Sequence, residues 1–363
     1  MKEKTFRRKL RVILAIASKD TLDALKNRTI LTLALGILAL MLSAKTLPFL
    51  LALRGLPTLA IYNPSELPLV DPLQDRDDLN VVSLNSEQEM KSSLVDSQRL
   101  MIGLVLPNTL DLDSGEEKIR LDGFYPNWAN PKRVRDQVAF FEEVLSNAAE
   151  RDVLIQIDKN VIYPTTEPGL HLLMAVQTGS LMILLVGLIL VPYLFLDEKD
   201  QHTMDALLVS PASHTQIVIG KALAGLVYSF VAAAVVLLFN FRYIVHWELI
   251  LLSILLGATF SVLIGLFLGI LVDSQATLGI WSSLFLFLFI GPSVIGSFVK
   301  TSLPDALIEI MSWTPGFAFN QLMKSSMYKP VFPSLILKDS GVLITSMLLV
   351  FFLIVWQIRR MDQ

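Results

Sequence analysis

Long unbroken apolar runs occur at six places along this chain. A membrane-spanning helix needs roughly 20 apolar residues, so the runs over Thr29 to Leu47, Leu172 to Leu196, Ala222 to Phe241, Leu249 to Val272, Thr277 to Val299 and Gly341 to Ile358 predict six transmembrane helices. Residues 54–168 carry a different rhythm. Short β-favouring runs at Leu59 to Tyr62, Asn80 to Leu84, Leu100 to Leu106, Ile119 to Phe124 and Val153 to Ile157 predict strands. Ser86-Glu87-Gln88-Glu89 has the spacing of a capping box, and Asn130-Pro131 supplies an N-cap and an N1 proline. The second of these helices carries a stripe of Val134, Val138, Phe141, Leu145 and Ala148. A further apolar stretch, 303–327, is broken by Trp313-Thr314-Pro315-Gly316, which predicts two short re-entrant or interfacial helices. The predicted fold is an α-helical integral membrane protein whose extracytoplasmic α/β domain, 54–168, lies between the first helix (29–53) and a five-helix transmembrane region (169–363).

Between the second and third runs lies an amphipathic element, residues 197–212. Met204, Leu207, Leu208 and Pro211 follow the i, i+3, i+4, i+7 rhythm of one helix face, while Lys199, Asp200, Gln201 and Asp205 fall elsewhere. Ser210 precedes a proline and is pushed out of the helical region, so the chain bends there. Ser213-His214-Thr215-Gln216 then has capping-box spacing for a new helix. The prediction is an elbow: short helix, kink, long helix. On its residues alone, the short helix either docks on a partner or lies among lipid headgroups.

Charge sets the orientation. The first 28 residues carry Lys2, Lys4, Arg7, Arg8, Lys9, Arg11, Lys19, Lys26 and Arg28 against Glu3, Asp20 and Asp23, and Arg359-Arg360 closes the last run. Basic flanks stay in the cytoplasm, so both termini are expected there. Phe6, Leu10, Ile13, Leu14 and Ala17 form a stripe in residues 1–28, as in a helix lying along the inner membrane surface. Of 363 residues, 53% are hydrophobic and 17% charged, the balance of an integral membrane protein. With this charged arm ahead of the first apolar run, the amino terminus reads as an uncleaved anchor, and no nucleic-acid partner is indicated. Absence of cysteine excludes disulfides, thiolate metal sites and cysteine nucleophiles.

Gly220-Lys221 is not a phosphate loop, because Thr215 stands where the first glycine is required and Ala222 where a Ser or Thr would hold magnesium. It reads as the surface start of the third span. Four histidines, His171, His202, His214 and His246, sit at run ends and form no zinc motif. Glu142-Glu143 reads as a solvated pair, and Phe124-Tyr-Pro-Asn-Trp128 as either a ligand platform or a pinned turn. Ionisable groups are expected only at span ends, such as Glu248 and Asp273, leaving Gln177, Thr178 and several serines inside. Gln177, Thr178, Phe285, Phe289 and Ser293 are the candidates for a substrate pathway.

The elbow resembles that of the transmembrane subunits of type-2 ATP-binding-cassette exporters. Glu198-Lys199-Asp200, Thr203, Asp205, Leu207-Leu208, Ser210-Pro211, Gln216-Ile217 and Gly220-Lys221 follow that family's pattern, with His202 departing from it. The resemblance implies a coupling helix at 197–212 in which Glu198, Thr203, Met204, Leu207, Leu208, Ser210 and Pro211 dock a separate ATPase subunit. It further implies no cofactor in this chain, ATP and magnesium being bound by that partner, and a second permease copy or paralogue completing a dimer in the inner membrane. Exported substrates in the family range from drugs, lipids and polysaccharides to sodium. A hydrophobic or amphipathic small molecule is the expected cargo and sodium the alternative. A reading of another class is a membrane-anchored sensor with a ligand-binding outer domain.

Overall fold

A computed structural model describes residues 2–28, 31–32, 35–40, 42–43, 55–65, 67, 70–74, 76–97, 99–107, 118–157, 160–164, 170–200, 213–298 and 303–361. The chain opens with α1 (Lys2–Lys26). The expected span from Thr29 to Leu47 lies only partly among the described residues, which are helical at 31–32, 35–40 and 42–43.

A mixed sheet follows, with β1 (Thr58–Tyr62), β2 (Asn80–Leu84), β3 (Met101–Val105), β4 (Lys118–Pro126), β5 (Asp152–Gln156) and β6 (Val161–Ile162). Its order is β2-β1-β3-β4-β5, and β6 extends the end of β4. The β1 strand pairs in parallel with β2 and β3, β4 is antiparallel to β3, and β5 is parallel to β4. Four of the five β1 residues are buried, because helices cover both sheet faces. A short α2 (Asp71–Gln74) precedes β2. The helix α3 (Glu87–Asp96) presses Met90 and Leu94 onto one face, beside Ala60, and α4 (Pro131–Ala149) presses Val134, Val138, Phe141, Val144 and Leu145 onto the other. Val144 thus joins the expected stripe, while Ala148 is only half-buried. Both caps form. Ser86 accepts from Glu89 N–H and Asn130 from Lys132 N–H, although Glu89 reaches back to the N–H of Asn85 and not to Ser86.

Five helices among the described residues are long and apolar enough to cross a membrane: Leu172–Asp197, Thr215–Tyr243, Trp247–Leu271, Gln275–Ser297 and Pro333–Arg360. The first comprises α5 (Leu170–Leu185), a π turn at Val186–Leu190 and α6 (Val191–Asp200). It is followed by α7 (His214–Asn240), α8 (Trp247–Leu271) and α9 (Gln275–Phe298). The short α10 (Asp305–Ser312) and α11 (Pro315–Ser325) then lead to α12 (Pro333–Met361). Leu172–Asp197 is the axis of the bundle, since 89% of its most apolar stretch is buried against 22% for that of Gln275–Ser297.

Small residues let the axis helix approach its neighbour. Ser261, Gly265 and Gly269 recur every fourth residue on α8 and so share the face turned to the axis helix. A β-carbon on Gly269 would meet Phe195 at 2.7 Å, and one on Gly265 would overlap the Gly187 carbonyl. Around the π turn, Ser282 donates to the Leu188 carbonyl at 2.9 Å and Ser261 to that of Ile183 at 3.3 Å. These hydroxyls satisfy backbone groups that a wider turn leaves poorly paired in an apolar medium.

Candidate functional site

The axis helix and α7 hold the two ends of the elbow. Thr203, Met204, Leu207, Leu208, Ser210 and Pro211, with the kink at Ser210-Pro211, lie outside the described residues; Glu198 lies on α6. The exit is described. Ser213 Oγ accepts from Gln216 N–H and Gln216 Oε1 from Ser213 N–H, a reciprocal capping box. The third span therefore begins at Thr215 and not at Ala222. Its first turns look too polar for a membrane only if Lys221 is taken as exposed.

Lys221 is completely buried, and this corrects its reading as a surface residue. Its Nζ lies 3.3 Å from Asp20 Oδ2, donates to the Leu194 carbonyl at 3.2 Å and sits 4.9 Å from the Phe195 ring centroid. Asp20 is 4% exposed and belongs to α1. One ammonium group thus ties α1 and the end of the axis helix to the start of α7. Gly220 makes room for this, because a β-carbon there would meet Ile16 of α1 at 2.7 Å. Tyr228, two turns on, donates to the Asp20 carbonyl at 2.8 Å. Removing one partner of such a pair leaves an uncompensated buried charge, at a cost of about 3–5 kcal/mol.

Two further contacts complete a frame around the elbow. Asn27, just after α1, donates to Asp197 Oδ2 at 3.0 Å. Lys199 reaches the α8–α9 connection, donating to Asp273 Oδ1 at 2.8 Å and to the Val272 carbonyl at 2.9 Å. The described flanks of the elbow, on α6 and α7, are therefore tied to α1 and to the α8–α9 turn.

Near the sheet end of the bundle, the structure brings some pathway candidates together. Gln177 Oε1 accepts from Ser293 Oγ at 3.2 Å and from Asn320 Nδ2 at 3.0 Å, and Asn320 also donates to Ser180 Oγ at 3.1 Å. Gln177 Nε2 is buried and finds no hydrogen-bond partner among the described residues. Thr178 is half-buried beside this cluster and takes no part in it. Phe285 and Phe289 pack ring to ring at 5.7 Å, and Phe289 meets Phe260 edge-on at 5.1 Å. Phe289 is thus a core residue.

Asn320 was not legible as a site residue, since it follows a Pro-Gly break in a stretch too short to span. It enters the bundle because α11 is inserted there. Asn320, Leu322 and Met323 are buried, Phe319 fills the space opposite Gly257, and a β-carbon on Gly316 would overlap the Phe289 carbonyl. By contrast α10 stays at the surface, with Ile310 and the following Trp313 more than 60% exposed. Asp339 is a second correction to the expectation of charge only at span ends. It is 5% exposed on α12, which starts at Pro333, eight residues before the expected Gly341.

The candidates in the sheet domain resolve into structure. Glu142 is no solvated twin of Glu143, because its Oε1 accepts from Ile155 N–H at 2.8 Å and fastens β5 to α4. The turn after Phe124 is pinned by Asn127 N–H on the Ile162 carbonyl, and Lys91 lies 4.7 Å from the Phe124 ring centroid. Among the described residues, no group of three or more histidines and carboxylates could hold a metal ion.

The comparisons with known proteins bear on the family. No curated protein matches the chain. The sequence model described as ABC-2 family transporter protein matches residues 29–356, from the first apolar run through the elbow to the last helix. The chain belongs to the ABC-2 family of transporter proteins, membrane permeases that generally pair with ABC ATPase subunits.

Proposed function

We propose that this permease is half of an ATP-driven exporter. Residues 197–212 form its coupling helix, on which Thr203, Met204, Leu207, Leu208, Ser210 and Pro211 meet the ATPase while Glu198 positions the end of the axis helix. Both termini and the elbow face the cytoplasm, the sheet domain faces outward, and two permease copies or paralogues form the membrane dimer. ATP and magnesium bind to the partner, and closure of the ATPases drives alternating access for a hydrophobic or amphipathic small molecule moving outward.

One observation carries this reading: the elbow hangs from buried polar contacts, Lys221 with Asp20 and the Leu194 carbonyl above all. A charge pair inside a membrane bundle is costly to desolvate, and here it sits where docking force would enter. Replacing Leu207 and Leu208 by Asp tests the docking. Co-purification with the ATPase is expected to be lost while the permease stays folded; its survival would overturn the proposal.

Sodium extrusion is the second reading, favoured by the neutral oxygens gathered at Gln177, Ser180 and Ser293. Reconstituted vesicles containing permease and ATPase distinguish the two. ATP-dependent movement of lipophilic dyes without sodium flux supports the first, and sodium flux abolished by Gln177→Leu supports the second.

A further inference from the structure

The helices α1 and α7 meet at Ile16 and Gly220 and are clamped at Asp20 and Lys221. Along one side they part. The opening is an apolar groove of about 600 Å³, lined on α1 by Leu14, Ser18 and Leu22 and on α7 by Leu223, Val227 and Phe230. Its walls are open: Leu14 is 52% exposed, Leu22 57%, Val227 45% and Phe230 42%. The α7 wall covers i, i+4 and i+7 of one helix face, so the groove follows that helix for about 10 Å.

Charge says what covers it. At 3.6 residues per turn, Arg7 and Arg11 share the α1 face that carries Leu14, Ser18 and Leu22, and both arginines are exposed. The first 28 residues hold nine basic groups against three acidic ones, and one of those acids, Asp20, is turned inward to Lys221. A second copy meeting this face across a two-fold axis would bring its own arginines to the same patch, where like charges repel. An apolar slot with a cationic rim instead fits an acyl chain that ends in an anionic headgroup.

We propose that the α1–α7 groove seats an acyl chain of an anionic phospholipid, with the headgroup phosphate held by Arg7 and Arg11. The lipid fills the open side of the α1–α7 contact and so holds α1 against the base of the elbow. The site needs only that the chain be embedded in a bilayer, and it stands whether or not the transport reading above holds.

Native mass spectrometry on the full-length protein in neutral detergent tests this, with phosphatidylglycerol or phosphatidylcholine titrated in and bound lipid counted. Phosphatidylglycerol is expected to bind more tightly. Since a basic group near an anionic surface contributes about 1 kcal/mol, the Arg7→Gln/Arg11→Gln variant is expected to weaken phosphatidylglycerol binding about 30-fold, towards the level of phosphatidylcholine. Ser18→Trp, from an exposed position, fills the groove and is expected to weaken both lipids; Val227→Trp does the same from α7 if the first variant fails to fold. A phosphatidylglycerol preference that survives loss of both arginines would overturn the headgroup assignment. Undiminished binding in the tryptophan variants, or dissociation of a dimer with lipid count unchanged, would overturn the seat itself.

Discussion

The two ends of the helical bundle are held together by different chemistry. At the elbow end the contacts are ionic or charge-assisted: Lys221 on Asp20, Lys199 on Asp273, Asn27 on Asp197. At the sheet end the buried side-chain contacts are neutral, and the charged ones, Lys338 on Ser312 and His246 beside Glu248, lie nearer the surface. Gln177 accepts from Asn320 and Ser293, the Ser326 carbonyl accepts the backbone N–H groups of Val245 and His246, and α11 packs into the bundle through Phe319 and Gly316. A buried ion pair is intolerant of losing one partner. A neutral hydrogen bond between membrane helices is worth only about 0.6 kcal/mol on average, so it can break and re-form during a transport cycle. The contrast makes the elbow end, where the ATPase is proposed to push, costlier to disrupt than the sheet end.

The comparison breaks most readily at Lys221. Lys221→Met strands Asp20 in an apolar contact, and a loss of about 3–5 kcal/mol is expected, visible as a lower unfolding midpoint in detergent. Lys221→Met/Asp20→Leu removes both charges and is expected to regain most of that stability. A single variant as stable as the parent would show that the pair is not rigidly held. At the other end, Gly316→Val pushes a β-carbon into the Phe289 carbonyl. Backbone cannot yield as a flexible side chain does, so overpacking of about 1–3 kcal/mol is expected. Hydrogen exchange should quicken along α11, and unaltered exchange there would count against its insertion.

Most of the fold was legible because its periods are unmixed. Five strands fell within a residue or two of their runs, and the caps at Ser86, Asn130 and Ser213 sit where their side chains must. The two-residue β6 was too short to carry a period. Span edges shifted outward at Thr215 and Pro333 because apolar counting stops at a lysine or aspartate, whereas Lys221 and Asp339 are buried. The site was legible only in outline. The apolar stripe of the elbow and its Ser-Pro kink are plain in sequence, yet they lie outside the described residues. Asp20 did leave a signal, since it falls three residues after Ala17 on the apolar stripe of α1, where a charge demands a partner. Its partner, 201 residues away, could not be read without the fold.

Finer variants sharpen the contrast. Asn320→Leu removes two neutral hydrogen bonds from the sheet end, and a loss of about 0.6–1.7 kcal/mol is expected. A double-mutant cycle with Gln177→Leu isolates the direct bond from the change in packing. A coupling as large as that of Asp20 and Lys221 would erase the distinction between the two ends.

The smallest effect is expected at Lys199 and Asp273, and it tests whether charge alone or burial sets the rigidity of the elbow end. Their side chains are 26% and 89% exposed, so water and salt screen the pair. Asp273→Asn should therefore cost less than about 1 kcal/mol, and the parent should approach the variant as ionic strength rises. Lys199→Met should cost more, because the ammonium also serves the Val272 carbonyl, a contact that Asp273→Asn leaves intact. Thermal unfolding of the three proteins at low and high salt separates these terms. If Asp273→Asn proved as damaging as Lys221→Met, exposure would not be what divides the two pairs, and the frame would be held by charge wherever it lies.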